Sequence, residues 1–203
     1  MDIYRYDESF RNEGFSRVAG IDEAGRGPLA GPVVASAVIL PSMKRIKGLR
    51  DSKKVPEKER KSLFQDLLCC AMDIGVGIVD AESIDRMNIL RATRLAMEMA
   101  VRDLSSRPDF LLIDAVELPS VDIRQISPFK GESKSASISA ASIIAKVVRD
   151  GIMEDYDLMY PEYGFAKHKG YSTREHVEKL LLHGPCEIHR KSFEKVMSLE
   201  LPL

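Results

Sequence analysis

The sequence predicts an α/β protein: a mixed β-sheet flanked by helices, followed by a helical C-terminal part. Three observations carry this. Two apolar, β-branched runs near the N-terminus are separated by a stretch dense in Gly and Pro. Helical and strand periods then alternate. Beyond residue 130 only helical patterns remain.

Residues 18–21 read as a short buried strand that meets Asp22 and Glu23. Residues 25–32 are rich in Gly and Pro, and the apolar run 33–40, closed by Pro41, is a second strand. Pro56 suits the first turn of a helix reaching about Cys70, with Leu63, Phe64, Leu67 and Leu68 at helical spacing. Cys69 and Cys70 fall in its last turn and read as packing residues. Residues 74–79 form a third strand. Asn88 caps a helix to about Leu104, with Ile89, Ala92, Ala96, Met99 and Ala100 on one side. Residues 110–113 are a fourth strand ending at Asp114, and residues 121–126 a weaker fifth. The span 137–156 reads as a long helix whose first half is built of small residues. Ser172 and Glu175 form a capping box for a helix that Gly184-Pro185 ends, and residues 190–199 suggest one more.

Composition narrows the function classes. The 203 residues carry a net charge of −1, with 44% hydrophobic and 30% charged residues, which suits one globular domain and excludes disorder. No apolar run approaches the ~18 residues that span a bilayer, and the acidic N-terminus is no secretory signal. Three cysteines, two of them adjacent, fit a reducing compartment, so the cytoplasm is expected; neither they nor the four histidines have zinc spacing. Charge is uneven, however. Between Lys44 and Lys61 nine basic residues face three acids, and a second basic group follows at Lys167, His168, Lys169, Arg174, Arg190 and Lys191. Such runs are solvated faces or phosphate-tracking surfaces.

Asp22, Glu23 and Asp114 each follow an apolar strand, where side chains enter the crevice used by ligands in α/β sheets. Grouped carboxylates without a cation repel one another, so the pattern points to a hard divalent ion such as Mn²⁺ or Mg²⁺; a turn or helix cap is the plainer reading. Adjacent strand residues face opposite ways, so convergence of Asp22 and Glu23 requires a bend at the following glycines. The glycines at 25, 27 and 31 imitate part of a dinucleotide loop, but a strand rather than a helix follows them.

Several motifs lie in one order along the chain: Gly20-Ile21-Asp22-Glu23-Ala24-Gly25-Arg26-Gly27-Pro28, Asp51-Ser52-Lys53-Lys54, Ile113-Asp114, Lys130-Gly131-Glu132-Ser133, His168-Lys169-Gly170-Tyr171 and His189-Arg190-Lys191-Ser192-Phe193. In this the sequence resembles the ribonuclease HII family over about residues 15–196. The resemblance implies a ribonuclease H-like fold in one domain, 1–203, with about 157–203 a helical extension beside the active site. It implies cleavage of the RNA strand of RNA–DNA hybrids and nicking 5′ to single ribonucleotides in duplex DNA, leaving 5′-phosphate and 3′-hydroxyl ends. Asp22, Glu23 and Asp114 become the metal-binding acids. Glu132 becomes a fourth catalytic acid, one methylene longer than the Asp expected there. Gly25-Arg26-Gly27 recognises the ribonucleotide, and Tyr171 contacts the neighbouring deoxyribose. Lys53, His168 and Arg190 are expected to contact substrate. The expected partners are hybrid and ribonucleotide-containing duplex, bound by a monomer. Rival readings are a non-catalytic hybrid-binding module, a nuclease of the same fold acting on DNA junctions, and the related ribonuclease HIII type. That type normally carries a further N-terminal domain, whereas about 17 residues precede the first strand here.

Overall fold

The computed structural model describes residues 2–42 and 44–200, the last two without their side chains. Its sheet has five strands in the order β3-β2-β1-β4-β5: β1 Val18–Ala24, β2 Val33–Ile39, β3 Asp73–Val79, β4 Phe110–Ile113 and β5 Gln125–Ile126. The first three pair antiparallel. β4 lies parallel to β1, and β5 parallel to β4. The expected fifth strand shrinks to two residues, because the Val121 N–H donates to the Leu118 carbonyl and the Ile123 N–H to that of Val121, forming turns instead of a ladder.

The first helix, α1 Ile3–Asn12, has no counterpart in the sequence reading. Asp2 caps it, accepting from the Tyr4 N–H at 3.1 Å. Its buried Asp7 accepts from both the N–H (2.8 Å) and the hydroxyl (2.7 Å) of Ser137, fastening α1 to the start of α5. α2 spans Glu57–Cys70 with Pro56 as its cap residue, just outside the first turn, and Cys69 is exposed rather than packed. A short α3, Ala81–Met87, precedes α4, Ile89–Asp103; the Asn88 side chain caps α4 by accepting from the Leu90 and Arg91 N–H groups.

Two close approaches fix the layers. α5, Ala136–Met159, lies so near β1 that a Cβ on Gly20 would stand 2.0 Å from the Ser137 carbonyl carbon, which explains the small residues of its first half. On the opposite face α4 covers β3, where a Cβ on Gly77 would meet the Ala96 carbonyl oxygen at 1.9 Å. After α5 come α6 Phe165–His168, α7 Arg174–His183 and α8 Glu194–Glu200. Thr173, not Ser172, caps α7: its hydroxyl accepts from the His176 N–H at 3.2 Å. Leu29, Ala30, Met153, Phe165, Leu180 and Val196 form the core that joins these helices to the loop after β1.

Candidate active site

Because β1 and β4 are parallel neighbours, their C-terminal ends reach the same edge of the sheet. Asp22 lies near the end of β1, and Asp114 directly follows β4. The Asp114 N–H donates to the Ile21 carbonyl at 3.0 Å, continuing the ladder one step and setting the two acids side by side. Asp114 Oδ1 in turn accepts from the Gly131 N–H at 2.8 Å. That bond ties in the turn Gly131–Ser133, which carries Glu132. A Cβ at Gly131 would crowd Asp114 Oδ1 at 3.1 Å and Ile138 Cδ1 at 2.7 Å, so the approach depends on glycine. β1 stays paired through Ala24 and bends at Gly25, whose φ is 95°.

Burial and mutual repulsion set the charge state of these acids. Burial first, then Glu23 and Asp114, hold Asp22 well above the usual carboxylate range. Burial likewise raises Asp114, to about 6; the Gly131 N–H opposes this, while Glu132 and Glu23 add to it. Glu23 is raised by burial against the pull of Arg26, whose Nη1 lies 3.3 Å from its Oε1. Burial lowers the Lys53 ammonium, but Asp22, Asp51, Glu132 and Asp114 around it outweigh that and raise it overall. Glu23 Oε2 and Glu132 Oε2 are buried without a hydrogen-bond partner. An anionic, all-oxygen set with two orphaned oxygens fits a hard divalent cation. Among the described residues no three of these groups stand at the spacing of a closed coordination shell, so holding an ion requires their side chains to turn inward.

Beside the acids opens a cleft of about 220 Å³, lined in part by Glu23, Gly25, Arg26, Gly27, Lys53 and Tyr171. Tyr171 is 42% exposed, with Lys146 Nζ 5.5 Å from its ring centre. Residues that sequence reasoning missed also line this cleft. The hydroxyls of Ser52 and Ser142 are 2.6 Å apart, and Lys146 and Arg60 both reach Asp150, at 2.7 and 3.4 Å. Ser142 and Lys146 are one turn apart on α5, the helix laid on β1, and that spacing was the signal available.

Two expected substrate contacts are corrected. Arg190 is fully buried and cannot meet a phosphate. Its guanidinium donates to the carbonyls of Gly31 (2.9 Å), Arg26 (3.0 Å), Pro28 (2.8 Å) and Gly25 (2.5 Å). Burial, then the neighbouring Arg149, lowers its pKa to about 9. Arg149, also buried, donates to the carbonyls of Pro32, Ala30 and Lys169. A peptide unit points its C=O and N–H in opposite directions. With the Gly25 and Arg26 carbonyls turned in to Arg190, the N–H groups of Arg26 and Gly27 point away from that guanidinium, and both residues line the cleft.

His168 is the second correction: it too is buried, because its ring is consumed inside the fold. Its Nε2 lies 2.8 Å from the Tyr163 carbonyl, its Nδ1 accepts from the Gly170 N–H, and it stacks on His176 at 4.4 Å. The basic run is paired in part. Arg45 meets Asp2, Arg50 meets Glu59, and Lys61 meets Glu57, while Lys53 alone of the run is drawn to the acid cluster.

Comparison with known proteins agrees with this architecture. The family profile described as "Ribonuclease HII" matches residues 19–196. The chain is 53% identical over 198 residues to a ribonuclease HII of Bacillus subtilis (strain 168), covering 98% of this chain and 77% of the relative. Among solved structures it resembles the ribonuclease H2 from Pyrococcus horikoshii OT3, with a TM-score of 0.77 and 29% identity across 91% of this chain and 97% of that one. It also resembles the ribonuclease HII solved in a complex with PCNA from Archaeoglobus fulgidus, with a TM-score of 0.74 and 26% identity across 88% and 95% of the two chains. The acids brought to one sheet edge thus lie within a profile that runs through nearly the whole chain, and the chain belongs to the ribonuclease HII family of endoribonucleases.

Proposed function

We propose that this endoribonuclease cleaves the RNA strand of RNA–DNA hybrids and nicks 5′ to single ribonucleotides in duplex DNA, leaving 5′-phosphate and 3′-hydroxyl ends. One observation carries the reading: Asp22 and Asp114 stand side by side at a sheet edge, raised by burial and repulsion, with orphaned oxygens on Glu23 and Glu132 beside them. Asp22, Glu23 and Asp114 would hold divalent cations, Mn²⁺ or Mg²⁺, with Glu132 completing the acidic set. When bound, a pair of such ions supplies charge stabilisation at the attacking and leaving oxygens of phosphodiester hydrolysis.

The chain's own groups supply the rest. Lys53 holds a positive charge against the acids and faces the cleft where a phosphate would arrive. The N–H groups of Arg26 and Gly27 are donors suited to a 2′-hydroxyl oxygen, the atom that separates RNA from DNA. Gly27 has nothing within 4 Å of its absent Cβ, so a sugar can approach its backbone closely. The exposed Tyr171 ring offers an apolar face to the adjoining deoxyribose. The enzyme is read as a monomer, with the cytoplasm as its compartment; no helix is long and apolar enough to cross a membrane among the described residues.

The test is cleavage of a duplex carrying one ribonucleotide, with Mn²⁺, with Mg²⁺ and with chelator. Cutting 5′ to the ribonucleotide only when metal is present, and its loss in Asp22→Asn, is the expected result. Equal cutting of an all-DNA duplex would overturn the reading.

A further inference from the structure

Among the described residues only two aromatic side chains are exposed: Tyr171, at the cleft, and Phe129, which is 74% exposed. Phe129 lies two residues before Gly131, whose N–H grips Asp114, and three before Glu132. The loop that carries it is anchored before and after the ring. Ser127 Oγ donates to the Val116 carbonyl at 2.8 Å, and Pro128 is buried. The Ser133 N–H donates to the Lys130 carbonyl at 3.0 Å, and the Lys134 and Ser135 N–H groups both donate to that of Gly131. Lys130 adopts a left-handed conformation (φ 54°), uncommon for a residue with a Cβ. This frame turns an apolar ring outward three residues before Glu132, with the Lys130 ammonium 5.4 Å from the ring centre. Lys134, four residues after Lys130, is a second exposed cation.

We propose that Phe129 and Lys130 form a second duplex-gripping element, at the Glu132 end of the site, a counterpart to Tyr171 at the cleft end. The ring packs on a backbone sugar of the bound duplex, and the ammonium meets a neighbouring phosphate. Cations on phosphates and an apolar ring on a sugar hold a duplex without reading its sequence. The surface is continuous with the acid cluster through Gly131, so a duplex seated on those acids passes this loop. The inference rests on the function proposed above and assigns a role to Phe129, which lies just before the motif Lys130-Gly131-Glu132-Ser133.

The test uses the full chain and fluorescent duplexes carrying one ribonucleotide, in Phe129→Ala, Phe129→Trp and Tyr171→Ala proteins. Phe129→Ala should weaken duplex binding by about tenfold, the size of one lost apolar contact between ring and sugar, without lowering the melting temperature, because the ring faces solvent in the free protein. Phe129→Trp should restore binding. Two further duplexes, each truncated on one side of the ribonucleotide, locate the contact. One truncation should erase the difference between wild type and Phe129→Ala, and the other the difference for Tyr171→Ala. Unchanged affinity in Phe129→Ala, an equal loss in Phe129→Trp, or loss of both differences with the same truncated duplex overturns the proposal. None of these results bears on whether the wild-type enzyme cuts at a ribonucleotide, which the metal and Asp22→Asn experiment decides separately.

Discussion

Two buried polar regions of this molecule face each other across the loop 25–32, and they are built on opposite rules. At the sheet edge, Asp22, Glu23, Asp114 and Glu132 repel one another and leave two carboxylate oxygens without partners. Behind the loop, the histidines and arginines have hardly an idle ring nitrogen or guanidinium edge. His176 Nδ1 lies 2.9 Å from the Tyr171 carbonyl and so carries the proton. Its Nε2 then accepts from His189 Nε2–H at 3.0 Å, and His189 Nδ1 accepts from the Cys186 N–H at 3.0 Å. Each of these two rings is neutral with both nitrogens engaged. Burial alone therefore does not mark function. Nor does a single orphaned atom, since Asp7 Oδ1, in the contact of α1 with α5, is orphaned too; what sets the sheet edge apart is two orphaned oxygens among mutually repelling carboxylates, whereas the bonded region is the scaffold under the loop.

The sharpest way to break this comparison is to relieve the repulsion. Asp114→Asn should abolish cleavage and yet stabilise the metal-free protein. The sign follows from the protons. Burial pushes Asp114 up to about 6 in the fold, against 3.8 for the free side chain, so the folded state binds more protons between those values and loses stability as pH rises through them. Above pH 7 the full penalty is present. Discounted for the side chain's partial exposure, its removal is worth about 1–2 kcal/mol, and the gain should vanish below pH 4. Denaturant melts with chelator at pH 8 and pH 4 measure it. A destabilised Asp114→Asn at pH 8 would mean that the Gly131 bond outweighs the repulsion and that the cluster is structural.

These two regions were unequally legible in the sequence. Asp22 and Asp114 stand out because a carboxylate after an apolar strand has few uses, and parallel pairing of β1 with β4 then sets them together. His168 and Arg190 could not be placed in that way. Both stand in a basic, apparently exposed stretch, and only the fold reveals that carbonyls and neighbouring rings absorb their donors. The strands and long helices followed from apolar periods, whereas α1 escaped because few of its residues are apolar and its buried Asp7 reads as polar surface. Thr173 and Ser172 both suit a helix cap, and nothing local distinguishes them. In the charge run 44–61 composition shows the excess of cations but not the distant partners, Asp2, Asp150 and Glu154, that the fold brings to Arg45, Arg60 and Lys61.

Acid should separate the regions next, because they respond to it in opposite directions. Burial, before any other cause, lowers His176 and His189 to about 4. An unfolded histidine protonates near 6.5, so between about 6.5 and 4 the unfolded chain binds more protons and stability falls as pH falls. The slope reaches at most about 1.4 kcal/mol per pH unit for each ring. In wild type the acid cluster offsets part of this loss below pH 6. In Asp114→Asn that part is absent, so the fall from pH 6 to pH 4 should be steeper than in wild type. Parallel curves for the two proteins would show that Asp114 does not titrate in that window.

The smallest effect concerns a third kind of polar group, satisfied but exposed. Arg50 grips Glu59 with two hydrogen bonds, at 2.8 and 2.9 Å, and both side chains are 41% exposed. Such pairs contribute about 0–1 kcal/mol, since water screens the charges and ordering two long side chains costs entropy. Arg50→Ala should therefore shift the melting temperature by only a few degrees and leave cleavage of a ribonucleotide-containing duplex near wild type at moderate salt. If it instead weakens duplex binding, with a shallower dependence on salt concentration, then Arg50 exchanges Glu59 for a phosphate in the complex. The groove it lines also contains Glu132. That outcome would extend the substrate track from the repelling acids along the basic run, and would make pairing in the free protein a poor guide to pairing in the bound one.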